Sequence, residues 1–307
     1  MLILVAGVTG YLGKHLAQVG LEKGHQIRGF GRSPGKLPAE ILGKLESFVE
    51  CQSYDEREAL DRAVAGADAV ICCYTSHADA VLEAQLSLLR AVERAGIKVY
   101  HAHSWNADWT KIHHGDFEHY DAYIAFRRQA ELTSPIRPVY VFTGLVGEFV
   151  LNDLMGVAHI EDDADGKTLK YWGDGNAKWD FTYFEDAARF SIDLISTNQS
   201  VLAGEGGFFS IRSAEVSAKD VAKAYETRSG TKLRLQSLGG VEELRTLLKN
   251  ARASTDPRAY FTFASYYSQI ANTLGTWKLD NPKEVGASDA IDRLFSNQIE
   301  IPKTYTE

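Results

Sequence analysis

The chain has 307 residues, of which 45% are hydrophobic and 24% charged, and its formal net charge is −8, from 33 Lys+Arg against 41 Asp+Glu. Those proportions exclude a disordered tail and a fibrous repeat. The acidic balance argues against a nucleic-acid groove, which needs clustered positive charge to displace counterions. At roughly 150 residues per domain, the length allows two domains, or one large α/β domain with an appendage. Cys51, Cys72 and Cys73 form neither a disulfide framework nor a zinc-finger spacing, so free thiols in a reduced compartment are expected. No stretch approaches the ~20 apolar residues that span a bilayer, and the short apolar run at Met1–Ala6 lacks the flanks of a signal peptide. A cytoplasmic chain that binds no membrane is expected.

In chain order, Leu2–Ala6 reads as a strand covered on both faces, and Tyr11–Glu22 as an amphipathic helix closed by Gly24. Strands are expected at Gln26–Phe30, Glu46–Cys51, Ala69–Tyr74, Ile97–His101 and Val139–Thr143. Helices are expected at Asp55–Val64, Ala80–Arg94 and Asp116–Leu132. This alternation predicts an α/β fold: a Rossmann-type doubly wound parallel sheet over residues 1–150. After that the rhythm changes. An acidic stretch at Glu161–Gly166 precedes a tight turn at Tyr171–Asn176, then come a helix at Phe184–Ile195 and a strand at Gly207–Arg212. Residues of about 177–212 are expected to return to the sheet. Residues 151–307, with helices at Ser217–Ser229 and Val241–Ala251, should otherwise form a smaller α+β substrate lobe.

Gly7, Gly10 and Gly13 join the first strand to the first helix. Glycine lets a backbone turn sharply and approach a pyrophosphate, and the helix N-terminus behind it offers free N–H groups and partial positive charge. The strand–turn–helix context is the one the motif requires. Gly7, Thr9, Gly10, Tyr11, Leu12 and Gly13 are therefore candidate cofactor contacts. A protein that binds NAD usually carries a carboxylate at the end of the second strand. Here that segment holds Arg32 and Lys36 and no acid. Arg32 can fork two N–H groups onto a 2′-phosphate and Lys36 adds charge, so the expected cofactor is NADP(H). Tyr74 and Thr75, at the end of the fourth strand, complete the candidate set.

With these features the chain resembles the NmrA-like/isoflavone-reductase-like branch of the atypical short-chain dehydrogenases/reductases. The resemblance rests on the glycine turn, on Arg32-Ser-Pro34, on Val99–Asp108 with its Ser104-Trp-Asn-Ala-Asp108 ending, on Arg127–Glu131, and on Tyr171–Asn176 followed by Asp180 and Asp186–Arg189. It runs from residue 2 to about residue 230. Such a resemblance implies either an NADPH-dependent reductase of a small, often aromatic molecule or a non-catalytic NADP sensor that binds a protein partner. A non-redox isomerase on the same fold is a third reading.

In a short-chain reductase a tyrosine with a lysine four residues on donates the proton, and a strand-end serine polarises the substrate. Ser104, Tyr123 and Arg127 stand in those places, with arginine instead of lysine. Arg127 could hold the cofactor ribose, as could Ser104, but a guanidinium is no proton donor. Five of the nine histidines fall in one stretch: His101, His103, His113, His114 and His119. No HExxH pattern occurs, so no metal is expected. His101 and His103 read as satisfied core or cofactor-packing residues. His113 and His114 read as loop residues near the substrate. Trp105, Trp109 and Phe149 follow strands, where α/β sheets bind ligands. The expected substrate is a small aromatic or polyketide-like carbonyl or enone, with Trp105, His113, His114 and Phe149 against it.

Overall fold

The computed structural model describes residues 1–152, 157–163, 166–254, 263–276 and 278–299. Its contacts divide the chain into two units. The first comprises residues 1–105, 109–142 and 184–209; the second comprises 106–108, 143–183 and 210–307.

The first unit alternates strand and helix as the sequence predicts. Its elements are β1 (Leu2–Ala6), α1 (Tyr11–Glu22), β2 (Gln26–Gly31), α2 (Ala39–Leu42), β3 (Ser47–Glu50), α3 (Arg57–Val64), β4 (Ala69–Cys72), α4 (Gln85–Ala95), β5 (Val99–His101), α5 (Asp121–Thr133) and β6 (Val139–Phe142). The strands lie side by side in the order β6-β5-β4-β1-β2-β3. Register is parallel throughout, for example Ile3↔Ile27 and Leu4↔Val70. Ile3, Leu4, Val5 and Ala6 are fully buried, as a strand covered on both faces requires. This is a Rossmann-like doubly wound sheet.

The second unit opens with β7 (Leu145–Val146), β8 (Ala158–Asp163), β9 (Gly166–Tyr171) and β10 (Trp179–Thr182). The chain then re-enters the first unit with α6 (Phe184–Thr197) and α7 (Gln199–Leu202). There α6 lies along α1, tied by Lys23–Asp193 at 2.8 Å. The strand β11 (Gly207–Arg212) matches its predicted bounds. Residues 207–209 belong to the first unit, next to β6 in the sheet. The second unit continues with β12 (Ala214–Val216), α8 (Ala218–Ser229), β13 (Arg234–Ser237), α9 (Val241–Ser254), α10 (Ala264–Thr273), β14 (Lys283–Glu284) and α11 (Ala290–Arg293). It holds two small sheets, β12-β10-β7 and β13-β9-β8. Because β10 pairs with β7 and β12, the return to the first unit begins at Phe184, later than the expected 177. Fully buried Asp180 is neutralised by Arg212 at 2.9 Å and accepts the Leu279 N–H at 2.7 Å.

Two local expectations are corrected. Residues 116–120, read as the start of a helix, form a turn and a 3₁₀ turn over Glu118–Tyr120, and Gly115 N–H donates to the Asp121 carboxylate at 2.9 Å. α5 begins only there. The predicted helix at Ala80 opens with a π-helical turn over Ala80–Ala84, the kind of irregularity that clusters near functional sites. Of the acidic stretch at Glu161–Gly166, residues 164–165 lie outside the described residues.

Candidate active site

The turn after β1 is built by sterics that only glycine satisfies at two points. Gly7 has φ +88°, and a Cβ there would lie 2.4 Å from the Cys73 carbonyl oxygen. A Cβ at Gly13 would lie 2.3 Å from the Gly7 carbonyl oxygen. The turn is closed by Gly10 N–H to Gly7 O at 3.0 Å, and Gly7 N–H reaches Phe30 O at 2.9 Å. α1 then starts at Tyr11 with no acidic residue in its first turn and no side chain capping it. A helix N-terminus of this kind carries partial positive charge that favours an anion. Leu12 is buried, while Tyr11 is 38% exposed and stacks on Phe184 at 6.0 Å.

At the end of β2, Arg32 is exposed and its guanidinium lies 5.0 Å from the centre of the Tyr54 ring. Tyr54 in turn stacks on Tyr74 at 4.3 Å. Thr9 approaches the same strand end, its Oγ1 3.8 Å from where a Gly31 Cβ would stand. Lys36 is exposed at the end of a 3₁₀ turn over Pro34–Lys36. Sequence reasoning missed Tyr54, which lies in a polar loop with no periodicity to mark it. Tyr74 is buried and its hydroxyl has no partner. Burial raises the pKa of both phenols, Tyr74 well above its ordinary value.

The ends of β4 and β5 carry the densest chemistry. His101 is fully buried, stacked on Trp105 at 4.4 Å, with Nδ1 2.9 Å from the Ala102 carbonyl oxygen. The His103 main-chain N–H donates to the Gln85 side chain at 2.6 Å. The sequence reads both rings as satisfied core or cofactor-packing residues. His101 Nε2 and His103 Nδ1 are buried without partners, which does not fit the satisfied-core half of that reading. Burial drives His101 to about 4, His103 to about 3 and His119 to about 4, so all three are neutral at pH 7. Tyr123 is 1% exposed, with its ring centroid 5.6 Å from that of His103, 5.7 Å from His119 and 6.1 Å from Trp109.

The other expected site residues are placed as follows. Ser104 is fully buried, donates to Ala102 O at 3.1 Å and accepts Val141 N–H at 2.8 Å, linking β5 to β6. Arg127 pairs with Glu131 at 2.7 Å and lies over the Phe208 ring at 4.9 Å. Its charge faces those two groups, although it sits one turn from Tyr123. Trp105 is buried, its Nε1–H donated to Ser191 at 2.9 Å. His113 and His114 are exposed, and His114 stands 3.7 Å from Asp121. Thr75 is half-buried. Phe149, in the second unit, is half-buried at the end of a 3₁₀ turn over Gly147–Phe149. Among the described residues no group of side chains could hold a metal ion, and no helix is long and apolar enough to cross a membrane.

Comparison with known proteins places these features in context. The model of the NmrA-like family matches residues 1–288. A bifunctional pinoresinol-lariciresinol reductase of Linum usitatissimum is 26% identical over 255 residues, covering 79% of this chain and 79% of its own. The binary complex of leucoanthocyanidin reductase with NADPH from Vitis vinifera superposes with a TM-score of 0.73 at 18% identity, over 97% of this chain and 99% of that one. AtPrR2 with NADP⁺ and (+)pinoresinol gives a TM-score of 0.72 at 17% identity, with 92% of each chain covered.

Proposed function

This chain belongs to the NmrA-like family, and from that premise we propose that it is an NADPH-dependent reductase of a small aromatic or polyketide-like carbonyl or enone. The observation that carries the reading is the pairing of the glycine turn and acid-free helix N-terminus with Arg32 at the end of β2. The relative named as a pinoresinol-lariciresinol reductase and the solved neighbours with NADPH or NADP⁺ support it.

The residues present fit a dinucleotide carrying a 2′-phosphate. Gly7, Thr9, Gly10, Tyr11, Leu12 and Gly13 would line the pyrophosphate at the start of α1, since a Cβ at Gly7 or Gly13 would fill the turn. Arg32, held over Tyr54, and Lys36 would take the 2′-phosphate, and Tyr74 and Thr75 would flank the cofactor. Bound NADPH supplies the hydride. Tyr123 gives the proton to the substrate atom that becomes negative. Ser104 acts as a positioning residue: its bonds to Ala102 and Val141 hold the end of β5, and with it His103 and Trp105. Arg127, committed to Glu131 and Phe208, braces α5. His113, His114 and Phe149 remain the proposed substrate contacts.

We place the chain in the cytoplasm, where its three buried cysteines stay reduced, among the atypical short-chain reductases, with no nucleic-acid partner. One observation favours the alternative of a non-catalytic NADP sensor: Tyr123 is 1% exposed. Tyr123→Phe separates the two. As a reductase, the variant keeps NADPH affinity and loses turnover of aromatic ketones and enones by about a hundredfold or more. Binding of NADPH with no oxidation across that panel by the unmodified protein favours the sensor.

A further inference from the structure

An exposed arginine on a flexible stem loses rotamer freedom when a ligand fixes its head, and that loss weakens binding unless the head is already held. Arg32 is exposed, and the first unit supplies a surface that holds it. Its guanidinium lies 5.0 Å from the centre of the Tyr54 ring. Tyr54 stacks on Tyr74, with centroids 4.3 Å apart and planes 23° from parallel, and tilts against Phe30 at 6.3 Å. The three rings come from the loop after β3, the exit of β4 and the end of β2. Tyr54 is half-buried, whereas Tyr74 and Phe30 are buried and give it a fixed backing. The column stands beside the glycine turn: a Cβ at Gly7 would lie 3.1 Å from the Tyr74 main-chain nitrogen.

The contact orients the guanidinium and leaves its charge available. Other arginines are neutralised by carboxylates, Arg28 by Glu46 at 3.0 Å, Arg127 by Glu131 at 2.7 Å and Arg212 by Asp180 at 2.9 Å. Arg32 rests instead on a ring. Burial raises the pKa of the Tyr54 phenol, so the ring is uncharged at pH 7. It attracts the guanidinium through its quadrupole without cancelling the positive charge. A carboxylate in the same place would hold Arg32 as firmly but would cancel that charge and repel a phosphate.

We propose that Tyr54 is a positioning residue for cofactor selectivity: its ring holds the Arg32 guanidinium in place, so that an adenosine nucleotide with a 2′-phosphate is preferred to one without. This rests on the reading of Arg32 as the 2′-phosphate contact. Tyr54 acts through Arg32, so its effect on selectivity vanishes where Arg32 is absent.

The test measures binding to the full chain by calorimetry, without turnover. The probes are adenosine 2′,5′-bisphosphate and adenosine 5′-monophosphate, which differ only in the 2′-phosphate, and the readout is the ratio of their affinities. Arg32→Ala lowers the ratio by about tenfold or more. Tyr54→Leu lowers it by about threefold or more, and Tyr54→Phe, which keeps the ring, by less than Tyr54→Leu does. Tyr54→Met, also without a ring, serves where the leucine variant does not fold. In the Arg32→Ala background, Tyr54→Leu changes the ratio by less than about twofold. A merely structural role would weaken both probes alike and would persist without Arg32. A smaller fall in Tyr54→Leu than threefold, an equal fall in Tyr54→Phe, or the same fall with and without Arg32 overturns the role of Tyr54 and leaves Arg32 standing. A wild-type ratio near one, or one that Arg32→Ala leaves unchanged, overturns the reading of Arg32 itself.

Discussion

Gly7→Ala isolates the effect of the turn proposed to cradle the pyrophosphate. Gly7 has φ +88°, a conformation that costs an L-residue about 1–2 kcal/mol. The new Cβ would also lie 2.4 Å from Cys73 O and 2.8 Å from Cys73 C. Those atoms cannot easily retreat, because Cys73 N–H is bonded to Ala6 O at 2.8 Å beside the β1–β4 pairing. Overpacking against such a neighbour adds about 1–3 kcal/mol, for a total of about 2–5 kcal/mol. Gly24 supplies the matched comparison. Its φ is +78° and a Cβ there meets nothing within 4 Å, so Gly24→Ala carries only the first cost. At about 2 °C per kcal/mol for a chain of this length, Gly7→Ala lowers Tm by about 4–10 °C and Gly24→Ala by about 2–4 °C. Displacing the turn also moves the proposed phosphate site, and NADPH affinity falls by about tenfold or more in Gly7→Ala alone. Thermal melts and NADPH fluorescence titration measure both. Equal Tm and equal affinity in the two variants would refute the reasoning.

Arg32→Ala removes the charge proposed to hold the 2′-phosphate. NADPH binding weakens by about 10- to 100-fold while NADH binding stays put, measured by parallel titrations; equal losses for both would contradict the assignment. Acid stability follows from fully buried His101 and half-buried His103 and His119. His101, His103 and His119 titrate near 4, 3 and 4 in the folded protein against 6.5 ordinarily, so below about 6.5 the unfolded chain takes up protons that the folded chain cannot. Stability is full above that pH and falls as pH drops toward 4, by about 2 kcal/mol at pH 5 for fully buried His101 alone. Urea unfolding at pH 7 and pH 5 reads this, and His101→Gln should shrink the difference; an unchanged difference would sink the account.

The parts of the site legible in the sequence are those whose chemistry is local. β1, the glycine turn and α1 are read directly, because a strand buried on both faces must be apolar throughout and the turn at Gly7 admits no side chain. Arg32 is legible as a charge at a strand end, yet the Tyr54 ring that holds it arrives from the loop after β3. Ser104 and Arg127 sit where spacing puts them, but their partners, Val141 and Phe208, come from β6 and β11. Likewise the Trp105 indole is fixed by Ser191 of α6. The histidine cluster is visible in composition. Its neutrality and its unpartnered nitrogens are products of tertiary burial, which periodicity does not carry. The late start of α5 turns on one carboxylate, Asp121, accepting from Gly115.

The most direct test of the central claim uses NADPH carrying deuterium at C4, incubated with the protein and a panel of aromatic ketones and enones. A reductase transfers the label, so deuterium appears in the carbon framework of the product and one NADP⁺ forms per product molecule. Tight binding of the labelled cofactor with the deuterium retained on it after every incubation would contradict the account.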